Sequence, residues 1–315
     1  MGPRAAEGPS RAARGSQARA APAGGPFALE ARDVYKVFVS RARRGRKAMT
    51  AVRAVNLSVR RGEFMTLIGP SGCGKSTVLN MFAGLTAPTD GTVLQDGQPI
   101  RGVNTRGGYI TQDDNLLPWR TTLGNVEIAL ELKGVRRAER TARALDYLDR
   151  VGLRGFEHHY PHELSGGMRK RVSIVRTLVD ESVNAILMDE PFGPLDAQTR
   201  LVLQDELLRL WQGSGRTVVF VTHDLVEAIA LSDRIGIFTR APGTIKEIHE
   251  VAISRPRDVF HIHEAPGFVP AYDAIWAGLR AEIAAGEVAR RSRRTASADS
   301  RARIARARGS APAHA

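Results

Sequence analysis

Lys75 and Ser76 end the run Gly69-Pro70-Ser71-Gly72-Cys73-Gly74-Lys75-Ser76, and that order of residue types sets out a chemistry. Spaced glycines let a chain wrap so that its N–H groups face an anion, and a lysine and a hydroxyl then follow at the mouth of a helix. The arrangement suits a nucleoside triphosphate. Lys75 would reach the β and γ phosphates, Ser76 would ligate Mg²⁺, Thr77 would add a donor, and Cys73 would be a small residue in the loop. An idle glycine turn is the bland alternative, and the setting between a buried strand and a helix argues against it. Further on, Asp189 and Glu190 follow a second apolar run. Parallel sheets place their ligands at such strand ends, so Asp189 suits Mg²⁺, directly or behind its first ligands, and Glu190 suits polarising an attacking water. Without the upstream loop the same pair would read as a solvated strand end.

The elements that must hold these groups follow from the apolar pattern. Residues 64–68 (Phe-Met-Thr-Leu-Ile) form a short continuous run, as expected of a strand covered on both faces. Similar runs at 185–188, 218–221 and 235–238 are separated by helical stretches, which is the alternation of a parallel α/β sheet. Ahead of it, a strand over 27–38, a basic loop over 41–47 and the alternation of Val55, Leu57 and Val59 read as an antiparallel β unit. Residues 119 to about 165 are rich in Glu, Arg, Leu and Ala without a buried-strand signal, and predict an inserted helical subdomain. After His263 one helix is expected, over about 272–289. The expected organisation is a basic tail to residue 26, an ATPase region over 27–257, an extension over 258–289 and an Arg-rich tail over 290–315.

Composition narrows the classes. No run approaches the roughly 18–20 consecutive apolar residues that cross a bilayer. The first 26 residues lack the apolar core of a secretory signal, so the expected compartment is the cytoplasm. A single cysteine, Cys73, excludes an internal disulfide. The net charge of +13 invites a nucleic-acid partner, but segments 1–26, 41–47 and 287–315 carry +3, +5 and +6, leaving about −1 for the rest. The basicity belongs to two tails and a loop, read as solvated arms or as segments drawn to anionic lipid. Histidines at 158, 159, 162, 261 and 263 suggest polar surface more than a zinc site, since no further ligand set accompanies them.

Leu164-Ser165-Gly166-Gly167-Met168-Arg169-Lys170-Arg171, opening a helix rich in Val, Ile and Leu, separates this chain from other phosphate-loop ATPases. It resembles the signature of ATP-binding cassette (ABC) proteins. The resemblance implies a P-loop ABC ATPase core with a parallel sheet, an antiparallel β subdomain and an inserted α-helical subdomain. It also implies a head-to-tail dimer in which Ser165, Gly166 and Gly167 of one copy meet ATP held by the other. The family's remaining elements stand in order: Gln112 matches the glutamine that approaches Mg²⁺ and water, Asp196 the aspartate spanning the dimer interface, and His223 the histidine contacting the γ-phosphate. Phe38 stands where these proteins carry an aromatic that stacks on adenine; Tyr35 nearby, and core packing of Phe38, remain alternatives. Pro194 replaces the commoner Ala and Thr111 the commoner Phe, and neither change removes a reacting group.

The segments 115–119, 192–204, 240–247 and 254–257 look like those of the nitrate/sulfonate/taurine importer group. That likeness implies a second copy or sibling cassette, separate transmembrane permease subunits, a solute-binding protein acting through them, and a peripheral position at the cytoplasmic face of the membrane. Leu116, Leu117, Pro118 and Trp119 are the candidates for docking a permease helix, with internal packing as the alternative. A soluble ABC protein acting on nucleic acid or ribosomes is the competing class. Such proteins carry tandem cassettes or a long coiled-coil arm, and this chain shows one cassette and a short insertion.

Overall fold

Alternation builds the first sheet. A computed structural model describes residues 25–42 and 45–284; the expectations for most of the N-terminal tail and for the Arg-rich tail lie outside them. Leu29, Ala31 and Val34 of β1 (Phe27–Ala42) and Val55, Leu57 and Val59 of β2 (Gly45–Arg60) are buried, and the two strands pair antiparallel. The jump from Ala31 to Val34 is a register shift at Asp33, whose φ of 48° turns the strand. The basic loop expected over 41–47 is instead the end of this hairpin, with pairing out to Ala42 opposite Gly45. Val39 and Met49, which lead into that stretch from either strand, are 60% exposed, so no apolar alternation announces that the pairing continues.

β3 (Phe64–Ile68) opens the second sheet and leads through a loop into α1 (Lys75–Phe82). β4 (Asp90–Gln95) and β5 (Gln98–Pro99) complete the antiparallel sheet in the order β2-β1-β4-β5. β6 (Gly107–Ile110) is followed by α2 (Thr122–Leu132), α3 (Arg137–Arg150) and α4 (Gly166–Leu178). Then come β7 (Ala185–Asp189), α5 (Ala197–Trp211), β8 (Thr217–Val221), α6 (Leu225–Leu231), β9 (Arg234–Phe238) and β10 (Ile245–Glu250). A last helix, α7, runs over 268–284. It starts four residues before the expected position, because Pro270 falls in its first turn, where a proline is tolerated.

The second sheet has the order β10-β9-β3-β8-β7-β6, parallel throughout except for β10 at one edge. Its inner strands β3, β7, β8 and β9 read as nearly continuous apolar runs because both faces are covered. Met65, Leu67, Leu187, Val219 and Val221 point to one layer, where α1 lies between this sheet and the antiparallel one. Phe64, Ile186, Met188, Val218 and Phe220 point to the other, under α2, α4, α5 and α6. Phe64 meets Trp211 edge-on at 5.3 Å, so Phe64→Ala would cost about 3–5 kcal/mol.

Candidate active site

Four loops leave the C-terminal ends of the neighbouring parallel strands β3, β8, β7 and β6. They carry, in that order, the Gly69–Ser76 turn, His223, Asp189 with Glu190, and Gln112. This is where a parallel sheet gathers ligands, since helix N-termini and free N–H groups converge there.

The Gly69–Ser76 turn curls around its own lysine. Lys75 is 6% exposed, and its Nζ donates to the carbonyls of Gly69 at 2.7 Å and Pro70 at 3.2 Å. Ser71, Gly72 and Ser76 face solvent, while Cys73 is buried and burial pushes its thiol up. Gly74 caps α1 at φ 108°; a Cβ there would lie 2.5 Å from Val52 Cγ1, so only glycine lets β2 press against the loop.

Ser76 Oγ donates to Asp189 Oδ1 at 3.0 Å. Burial pushes the Asp189 carboxyl above the usual range and the Glu190 charge adds to it, against the hydrogen bond from Ser76 and the charge of Lys75. A hydroxyl and a carboxylate are the hard oxygen ligands Mg²⁺ takes, and a cation there would relieve the charge that burial penalises. Gln112 is exposed, and its amide nitrogen lies 3.6 Å from where a Cβ on Gly193 would stand, beside the turn that follows Glu190.

Glu190 is held at φ 46°, a left-handed conformation that costs roughly 1–2 kcal/mol for a residue with a Cβ. Its amide donates to Val221 O at 2.9 Å, fixing it against β8, and its Oε2 lies 3.2 Å from His223 Nδ1. A carboxylate and an imidazole are thereby paired at the open end of the sheet, a geometry able to hold and pass a proton.

Ser165 caps α4, its Oγ accepting from Met168 N at 3.2 Å, and both Ser165 and Gly166 are exposed. A Cβ on Gly167 would lie 2.8 Å from Thr199 Cγ2, so glycine is needed for α4 to approach the start of α5. That start is capped by Asp196, whose Oδ1 accepts from Thr199 N at 3.0 Å. Phe38 is 40% exposed on the hairpin with the Lys36 ammonium 5.1 Å over its ring, which removes core packing as its explanation; Tyr35 is half-buried. Of the docking candidates, Leu116 is buried in the core and Trp119 is 71% exposed, so internal packing holds for the first and not for the second.

Two features escape a reading of the sequence. Tyr109 at the end of β6 stands near Asp189, and burial, with the Asp189 charge adding to it, raises its phenol far above its ordinary value. Lys170, 3% exposed, donates to the carbonyls of Thr111 at 2.9 Å and Gln112 at 2.8 Å, while Arg176 reaches those of Asn115 and Asp114, and Arg169 pairs with the Asp114 carboxylate at 2.9 Å. Burial pushes the Lys170 ammonium down to about 8. One face of α4 therefore bolts down the loop that carries Gln112.

Residues 52–193 match the family described as ABC transporter. The chain is 43% identical over 227 residues to the taurine import ATP-binding protein TauB of Burkholderia pseudomallei, covering 72% of this chain and 85% of that one. To the nitrate import ATP-binding protein NrtD of Synechocystis sp. it is 39% identical over 259 residues, covering 80% and 95%. Among solved structures, a dimeric ATP-binding cassette in a post-hydrolysis state with ADP and Pi superposes with a TM-score of 0.61 at 33% identity, covering 71% of this chain and 98% of that one.

Proposed function

This chain belongs to the ABC transporter ATP-binding family, an ATPase family, and on that premise we propose that it is the ATP-hydrolysing subunit of an importer. Two copies, or this chain and a sibling cassette, close head to tail over ATP. The Lys75 turn of one copy holds the phosphates and the Ser165–Gly167 turn of its mate completes the cradle. Ser76, Asp189 and Gln112 would hold Mg²⁺, which would supply neutralisation of phosphate charge when bound. Glu190 orients and polarises the attacking water, and His223 contacts the γ-phosphate and steadies Glu190 through the bond between them. Asp196 reaches across the dimer interface, and Phe38 stacks on the adenine. The observation that carries this reading is the meeting of the Ser76–Asp189 and Glu190–His223 pairs at adjacent strand ends.

Separate permease subunits, loaded by a solute-binding protein, turn closure into uptake, and the names of the relatives favour a nitrate, sulfonate or taurine type of cargo. The cassette then sits at the cytoplasmic face of the membrane; among the described residues no helix is long and apolar enough to cross it. A cavity of about 440 Å³ between β6, α2 and α4, lined by Leu117, Ile128, Leu132 and Val183, opens on the helical side and suits a short permease helix. In domain terms, α2 and α3 belong to the helical subdomain of about 119–165 within an ATPase domain of 27–257, and α7 to the extension beyond it.

Glu190→Gln tests the assignment. With MgATP the variant should bind nucleotide and accumulate as a dimer by light scattering, while phosphate release falls about 100-fold or more. Near-normal turnover, or a monomer under saturating ATP, would sink it.

A further inference from the structure

Glu227 on α6 is 6% exposed, and among the described residues its carboxylate meets no cation at hydrogen-bonding distance. In this it differs from the other buried acids among the described residues, since Glu63 pairs with Arg234 and Asp180 with Lys133. Oε1 accepts from Gln204 Nε2 at 2.9 Å and Oε2 from the Thr222 hydroxyl, and both partners are themselves buried. A buried carboxylate between two neutral groups is a poor stabiliser, so its worth lies in what it joins.

What it joins are two parts of the site. The Thr222 hydroxyl accepts from Asp224 N at 3.1 Å, which aims its single proton at Glu227. Asp224 in turn caps α6, accepting from Val226 N and Glu227 N, and its second oxygen faces Arg200 of α5 at 3.4 Å. The residue between Thr222 and Asp224 is His223, so both its neighbours are pinned to α6. Gln204 lies on α5, the helix whose first turn Asp196 caps.

We propose that Glu227 is a positioning residue for ATP hydrolysis: its buried carboxylate ties the His223 loop to α5, keeping His223 beside Glu190 and in step with the Asp196 end of that helix. The proposal rests on the reading of His223 given above. Burial and the neighbouring Asp224 push the Glu227 carboxyl up to about 7, against Thr222, Gln204 and Arg200. Both of its forms bridge the gap, because a neutral acid can donate to the Thr222 oxygen while still accepting from Gln204. An amide can do the same.

Steady-state ATPase kinetics of full-length variants decide the matter. Glu227→Ala should lower kcat about 10-fold or more with KM for ATP held within about 2-fold, because His223 is displaced while the phosphate turn is untouched. Glu227→Gln should return kcat to within about 3-fold of wild type. Thr222→Val, which keeps the side-chain shape, should reproduce the kcat loss in a folded protein of somewhat lower melting temperature, and together with Glu227→Gln it decides the case if the alanine variant does not fold. An unchanged kcat in Glu227→Ala and Thr222→Val, a glutamine variant as slow as the alanine one, or a matching rise in KM overturns the proposal. Normal turnover in His223→Ala would instead remove the reading beneath it, a failure visible in that variant alone.

Discussion

The lysine-bearing turn and the serine-glycine turn are both glycine-rich entries to helices, yet the chain completes one and presents the other. At the first, Lys75 is wrapped by Gly69 and Pro70, Ser76 is joined to Asp189, and Glu190 stands against His223. At the second, the Ser165 side chain bonds, among the described residues, only its own helix through Met168 N, and Ser165 and Gly166 face outward. Rigidity is placed behind the second turn, where Arg169, Lys170 and Arg176 fasten α4 to the Gln112 loop. Under the proposed function this contrast is a division of labour: one turn is preorganised by its own chain, and the other is a rigid plate offered to a nucleotide held by the second copy.

Lys75→Ala strikes the completed side and should have the largest effect, since a charge-assisted contact to phosphate is worth about 1.5–3 kcal/mol. ATP affinity measured by calorimetry should fall roughly 10- to 100-fold. Unaltered affinity would mean that the first turn is not the nucleotide holder, and the comparison would lose one of its terms.

Lys170→Met probes the bolt between the two. The thioether keeps the volume and abandons the carbonyls of Thr111 and Gln112, so the Gln112 loop should shift and kcat fall about 10-fold. ATP affinity should stay near wild type, because Lys75 and its loop are not touched. Hydrogen exchange should show faster opening at residues 111–115 in the variant, and protection unchanged from wild type would mean that α4 and this loop are fastened by something else.

These two predictions also mark what could be seen in the sequence. The strands at 64–68, 185–189, 217–221 and 234–238 were legible because burial on both faces writes an unbroken apolar run. Lys75 and Ser76 stand out in the sequence because their spacing from Gly69 is itself a phosphate-binding pattern, whereas Asp189 and Glu190 take meaning only beside that loop, to which the fold brings them. Lys170 was not legible, since a lysine meeting a carbonyl 58 residues away leaves no periodic trace and sits inside a motif that already has an explanation. Tyr109 and Glu227 were missed for a similar reason: each acts across strands or helices, on partners that only the sheet order brings close. The hairpin end at 41–47 reads as a loop because a basic stretch without apolar alternation carries no strand pattern, and only the backbone pairing of Arg41 with Arg46 and of Ala42 with Gly45 reveals it.

Glu227→Gln supplies a smaller effect on stability. A carboxyl raised to about 7 in the folded chain binds a proton that the unfolded chain has released, so its contribution is full below its unfolded value near 4.5 and is lost as pH rises through 7. The glutamine variant should therefore gain roughly 1–3 kcal/mol over wild type at pH 8 and little at pH 4.5. Denaturant unfolding at the two pH values measures the difference. A stability gap that does not change with pH would place the proton elsewhere.

Ser165 allows the finest cut, because its two duties can be separated by charge. As the cap of α4 it is worth about 1 kcal/mol, which Ser165→Ala would forfeit. Aspartate caps a helix as well as serine does, so Ser165→Asp should melt like wild type. On a plate that must meet the phosphates of a nucleotide bound by the other copy, however, the same carboxylate sets like charge against like, and ATP-driven dimerisation of a Glu190→Gln background should disappear. Loss of stability in the aspartate variant would show that the helix end is strained in a way its single hydrogen bond does not reveal. Undiminished dimerisation would show that the exposed turn never faces a phosphate, and the two glycine-rich entries would then differ in shape without differing in task.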